Sequence, residues 1–336
     1  MASAAMTMPC DPFTLPRVLS DIARHAGYEL DLDDLVCTLG LPWLFCSVSS
    51  EPDVARWPMY ARDAFLIPSA RLFGIDIRAM HPPETARGLD RVAEFEQHFD
   101  ASYRPLVHRA LENGQAVLAW RGWSGGCDLM WGRITGACSE GAGFRGLVVV
   151  ETGSDGRSMT CPTLLERPAT QLYVVERITL KLPTRAELLK AVIEHASVAL
   201  GSGLADRFGV VGGPAALEAW RANTLDASDG INRIDSCHDV ALCIMAMQQA
   251  ALRFLRRKGG PEGAAYAPVV SLFAREADNI MAILGGMRSI DRLAGWLSSP
   301  MGREIIASKI REIAAATSRM QTNLARWGVL IAEKSI

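Results

Sequence analysis

At Leu182-Pro183-Thr184 the chain changes the kind of periodicity it carries, and that change limits the folds open to it. Beyond this point apolar residues recur at helical spacing almost to the end. Before it, two helical stretches lead into short β-type runs. Thr184-x-x-Glu187 is a capping box, in which each side chain reaches back to a backbone donor at a helix start. The last helical pattern is the clearest. Ile306, Ile310, Ile313, Thr317, Met320, Leu324 and Trp327 alternate steps of four and three, which draws one apolar stripe down a helix. Such a stripe needs a partner helix, in the same bundle or in a second copy of the chain. The spacing predicts helices over 184–200, 214–224, 232–257, 264–285, 289–297 and 302–326, broken at Gly212-Gly213-Pro214 and Gly259-Gly260-Pro261.

The first half reads differently. Asp11-Pro12 supplies an N-cap and an N1 proline for a helix carrying Leu15, Leu19, Ile22 and Ala26, which Gly27 closes. A second amphipathic helix places Tyr103, Leu106, Val107, Ala110 and Leu111 on one face and ends at Asn113-Gly114. Strand-like runs follow at Gln115–Trp120, Leu129–Thr135, Phe144–Glu151 and Gln171–Glu176. Helices first and an antiparallel sheet after them make an α+β arrangement, with a domain over 1–178 and a helical domain over 179–336. The charge divides the same way. Residues 1–178 hold 16 Arg, no Lys and 22 acidic residues, a net of −6, whereas 179–336 carry a net of +4.

The whole-chain net charge of −2 over 336 residues excludes a dedicated nucleic-acid binder, which needs a basic excess. No apolar run reaches the ~18 residues of a membrane span. Met1–Pro9 lacks the basic flank and apolar core of a secretory signal, so a cytoplasmic location is expected. The eight cysteines include no Cys-x-x-Cys pair, so neither a zinc framework nor any metal site is expected. Without a Gly-x-Gly-x-x-Gly or P-loop spacing, no nucleotide cofactor is expected either.

Cys10 stands just ahead of the first helix, where unpaired backbone N–H groups and the helix dipole favour a thiolate. The stretch Cys10-Asp11-Pro12-Phe13-Thr14, Gly27-Tyr28-Glu29-Leu30 and Trp43-Leu44-Phe45 resembles the opening of the butirosin biosynthesis protein H N-terminal family. Gly114-Gln115-Ala116-Val117-Leu118 and Met130-Trp131-Gly132-Arg133-Ile134-Thr135-Gly136 resemble two later segments of that family. The resemblance covers about residues 10–178 and implies a papain-like domain with Cys10 at the place of the nucleophile. It also implies that Met130 stands where the family has its catalytic histidine. No histidine lies between His108 and His195, and the acidic residue that follows the strand-ending glycine in the family is missing after Gly136. A thioether neither accepts nor returns a proton, so the ordinary Cys–His mechanism lacks its base.

Trp43, Trp120, Arg121, Trp123, Met130 and Trp131 form the candidate ligand-binding set: indoles and a guanidinium around a hairpin can stack a planar or cationic group. Hairpin core packing explains the same residues. The resulting expectation is a degenerate papain-like protein that binds a peptide, an acyl carrier or a small molecule without turning it over. An active acyltransferase or amidase using Cys10 is the first alternative. A structural protein that forms a homo-oligomer through its last helix is the second.

Overall fold

The computed structural model describes residues 11–48, 65–80, 94–127, 130–138, 143–152, 157–179, 181–200, 210–226, 232–259 and 266–334. In chain order the elements begin with α1 (Thr14–His25), α2 (Leu32–Thr38), a 3-10 turn (Leu41–Trp43), β1 (Cys46–Val48), α3 (Leu66–Leu72) and β2 (Ile75–Ala79). Next come α4 (Glu94–His98), a π-helical turn (Phe99–Tyr103) and α5 (Arg104–Glu112). Strands β3 (Val117–Trp120), β4 (Trp131–Ala137), β5 (Phe144–Thr152), β6 (Arg157–Leu165) and β7 (Gln171–Ile178) follow. The remainder is α6 (Arg185–Leu200), β8 (Val210–Gly212), α7 (Pro214–Leu225), α8 (Asn232–Lys258), α9 (Ala267–Gly285), α10 (Ile290–Leu297) and α11 (Pro300–Lys334). The chain is α+β, and its C-terminal region is helical. It divides into one unit of Met1–Leu35 with Arg62–Pro183 and a second of Val36–Ala61 with Thr184–Ile336.

The first unit is built on a six-stranded antiparallel sheet in the order β2-β7-β3-β4-β5-β6. Alternation along β3 sends Val117 and Ala119 to one face and Leu118 and Trp120 to the other. The first face meets α5 and the π-helical turn in a core of Phe99, Tyr103, Val107, Ile134, Phe144, Val148 and Val174. The second face receives α1, held at the start of β4 by a hydrogen bond from Trp131 N to Thr14 Oγ1 at 3.2 Å. Farther along, Arg133 Nη2 reaches Asp21 Oδ2 at 3.2 Å, and Asp21 is almost fully buried. The edge strand β6 is protected as edges must be: Pro162 has no N–H to offer, Ser124 Oγ accepts from Leu164 N (3.2 Å), and Ser124 N donates to Leu164 O (2.8 Å).

The start of α1 differs from the sequence expectation. The helix opens at Thr14 with Phe13 as an N-cap that makes no side-chain cap bond, while Asp11 Oδ1 accepts from Phe13 N at 2.9 Å in the preceding turn. Asp11 also pairs with buried Arg17, and that interaction holds the turn ahead of the helix.

In the second unit the capping box forms as written: Thr184 N donates to Glu187 Oε2 at 2.8 Å and Glu187 N to Thr184 Oγ1 at 3.3 Å. Ile306, Ile310, Ile313, Thr317 and Met320 are all completely buried, and α11 packs against α7 and α9. The stripe is therefore filled within this unit and offers no support for assembly through the last helix. The Trp327 side chain lies outside the described residues. The segment Val36–Ala61 belongs to this helical unit, at variance with a first domain running unbroken over 1–178. Trp43 packs on Phe273 with ring centroids 5.4 Å apart, Gln248 Nε2 donates to Pro42 O at 2.6 Å, and β1 pairs with β8. Among the described residues no helix is long and apolar enough to cross a membrane.

Candidate functional site

The residues singled out by sequence fall into three places. Cys10 lies outside the described residues. Trp43 is buried in the second unit against Phe273. The rest belong to the β3–β4 hairpin, but on opposite faces of its sheet. Trp120 and Trp131 are register partners on the α1 face, with centroids 5.7 Å apart, and Tyr173 lies 5.9 Å from Trp131. Both indoles are buried. Among the described residues neither indole N–H has an acceptor.

Trp123 and Met130 join the core on the other face, which contains no residue of α1. Met130 thus lies on the face away from α1; its side chain is 2 % exposed and packs with the cluster that includes Trp123 and Cys127. The reason is local. Met130 precedes the strand, its N–H bonds Cys127 O at 3.1 Å and its carbonyl accepts from Arg121 N at 3.3 Å, so the hairpin loop turns the side chain inward. Arg121 occupies the left-handed region at φ 69°, unusual for a residue with a Cβ, and Gly122 follows at φ 85°. At Gly122 a Cβ would collide with Arg167 O, and the Gly122 carbonyl accepts from both Glu166 N and Arg167 N. Within this unit, Trp120 and Trp131 therefore lie on one face of the sheet, and Trp123 and Met130 on the other.

The surroundings of the first turn of α1 are Thr14, Asp11, Arg17 and the Trp131 backbone. The described histidines of this unit are engaged elsewhere. His25 ends α1, with Nδ1 on Asp21 O at 2.8 Å and Nε2 within 3.4 Å of Arg133 Nη2. His98 packs edge-on to Tyr103, and His108, which the helical spacing puts in solvent, lies 5.1 Å from the Phe144 ring. Burial pushes the Cys127 thiol up, and neighbouring Cys161 adds to the effect, so Cys127 is no substitute nucleophile. Among the described residues no group of three His, Cys, Asp or Glu side chains could hold a metal ion.

Sequence reasoning missed one charged centre in the second unit. Glu276 is 1 % exposed and receives Arg319 Nη2 at 2.6 Å, Arg275 Nη2 at 3.0 Å and Asn279 Nδ2 at 3.2 Å. Burial alone raises its pKa, but the hydrogen bonds from Arg319, Asn279 and Arg275 prevail and hold the carboxyl below its ordinary range. Nothing local announces this, because Arg319 lies 43 residues away. It is a structural ion cluster.

Compared with known proteins, the chain matches no protein-family model, and no curated protein or solved structure is significantly similar to it.

Proposed function

We propose that the first unit is a degenerate papain-like domain, akin to the butirosin biosynthesis protein H family, that binds a ligand without turning it over. The observation that carries this reading is the bond from Trp131 N to Thr14 Oγ1, which brings the start of β4 to the first turn of α1. That is the junction at which papain-like enzymes set a helix-borne thiol beside a strand-borne base. The proposed inertness rests on what surrounds the turn. Asp11 takes the backbone donor just before the helix, at Phe13 N, so that donor is not free to hold a thiolate. The described histidines of this unit, His25, His98 and His108, have their partners elsewhere. The ligand on this reading is a peptide, an acylated carrier or a small molecule, and the protein works in the cytoplasm.

Alkylation of Cys10 by iodoacetamide, followed by peptide mass spectrometry from about pH 5 to pH 10, tests the proposal. The expected profile rises with an ordinary thiol pKa of ~8.5. A thiolate persisting below about pH 7 would overturn the inert reading in favour of an acyltransferase or amidase with Cys10 as nucleophile.

A further inference from the structure

The last rung of three strands brings two indoles together. Trp120 ends β3, Trp131 opens β4 and Gln171 opens β7, and the register pairs Trp120 with Trp131 on one side and with Gln171 on the other. All three side chains stand on the α1 face, as does Tyr173 two residues beyond Gln171, and each of the four is no more than 2 % exposed. The indole rings lie 5.7 Å apart, and both ring nitrogens are shielded from solvent with no acceptor among the described residues. An indole N–H can only donate, and burying it without an acceptor is costly. Two such groups in neighbouring positions therefore point to an acceptor that the fold itself does not supply. Helix α1 begins beside them: Trp131 N donates to Thr14 Oγ1, and the N-cap makes no side-chain bond. The positive end of the helix adds to the attraction for an electron-rich atom.

The surroundings choose that atom. An oxygen with two lone pairs can serve both donors. Charge at the turn is already balanced, because the buried cation Arg17 pairs with Asp11. A carboxylate would lose its hydration there without gaining a counter-charge. An amide carbonyl is uncharged, accepts more strongly than an ester, and belongs to a plane that stacks on the rings of Trp120, Trp131 and Tyr173. Its N–H can donate in turn to the buried Gln171 carboxamide oxygen, which has two lone pairs. We propose that Trp120 and Trp131 hold the carbonyl oxygen of an uncharged planar amide at this end of the sheet. The inference rests on the reading of this unit as a binding domain, and it names the chemistry bound: a peptide-backbone amide or a terminal carboxamide.

NMR of the indole N–H groups in the full chain tests it, with propionamide and N-acetyl-alanine methylamide as ligands and propionate and n-propylammonium as controls. Two of the eight indole resonances are expected to move saturably with the amides and to stay in place with the controls. Trp120→Phe and Trp131→Phe keep an aromatic ring without the donor. Each should delete one of the two resonances and weaken amide binding about fivefold, the worth of one hydrogen bond. If either variant fails to fold, the titration of the parent chain decides alone. Binding of N-acetyl-alanine methylamide at least as tight as that of propionamide indicates a peptide backbone; its exclusion indicates a terminal carboxamide. Contact of the two indoles with an internal water only, an equal response to propionate, or undiminished binding by a folded variant overturns the proposal. The Cys10 alkylation profile is read separately. An acidic thiol together with amide binding overturns inertness alone, whereas an ordinary thiol without amide binding overturns the indole site alone.

Discussion

Trp123 and Gly146 pack so closely that the glycine must have no side chain. The indole lies against the sheet across Gly132 and Gly146; a Cβ on Gly132 would stand 2.5 Å from Trp123 Cζ2, and one on Gly146 closer still to the ring. Gly132 and Gly146 occupy neighbouring strands, β4 and β5, so two bare positions make the recess that a single large ring fills. Gly146→Ala is expected to lower the stability of the first unit by ~1–3 kcal/mol, the usual effect of overfilling a tight core. Urea unfolding followed by tryptophan fluorescence measures it, and a midpoint equal to that of the parent would show the recess to be looser than described.

Ile310→Ala is expected to lower the stability of the helical unit by ~2–5 kcal/mol, because Ile310 is completely buried in its bundle. Sedimentation under native conditions should leave the assembly state unchanged. A folded variant that dissociates into smaller species would instead place this stripe between chains.

Glu276→Gln replaces a buried carboxylate by a neutral amide beside Arg319 and Arg275. Both arginines are about half exposed or more and can turn to water, so the expected loss is ~1–3 kcal/mol and not the full penalty of a stranded buried charge. Because the folded pKa lies below the unfolded one, the stabilisation is present above the unfolded value and fades as pH falls through the folded value. Thermal melts from about pH 6 to pH 2 should therefore lose less stability in the variant than in the parent.

His195 gives the opposite end of the pH scale a role. Burial holds its pKa below the ordinary value, against the opposing pull of its bond to Thr38 O and of Glu194. The unfolded chain takes up the proton first, so stability rises with pH through about 6.5 and falls below it. His195→Asn can keep a donor for the Thr38 carbonyl without titrating. Melts between about pH 5.5 and pH 7.5 should flatten in this variant; an unaltered slope would show that another group governs the window.

Cys127 should react slowly with maleimide at neutral pH, more slowly than Cys138, which is only partly buried. Mass spectrometry of partly labelled protein reads the order directly. Cys127 labelled ahead of Cys138 would contradict the burial of the hairpin loop.

The helical half was legible because burial there follows the 3.6-residue repeat. The expected 214–224 and 289–297 meet helices at Pro214–Leu225 and Ile290–Leu297, and Ser289 Oγ accepts from Arg292 N as a cap should. In the first half β3, β4, β5 and β7 were visible as apolar runs. Strand β6 was not, since Arg157–Leu165 is an edge strand rich in polar residues and interrupted by Pro162. Strand β2 was equally hidden by its charges, although Ile75 and Ile77 alternate with Asp76 and Arg78. Those charges find partners across the sheet, at Arg177 (2.7 Å) and Glu176 (2.6 Å), with Arg71 of α3 also beside Asp76. The candidate site was legible as a set of residue types but not as a place. Trp120 and Trp131 meet because they are register partners, and Met130, next to Trp131, falls on the far face by alternation, whereas Trp123 reaches that face through a loop whose left-handed Arg121 no spacing rule anticipates.

The attachment of Trp43 and Pro42 to the helical unit has a bearing on how the protein is made. Pro42 is made 206 residues ahead of its hydrogen-bond partner Gln248, and Phe273 comes later still. The nascent chain must carry Pro42 and Trp43 without these partners until Gln248 and Phe273 have been made. A fragment ending near residue 178 would leave Trp43 without Phe273 for good, an invitation to chaperones and to aggregation.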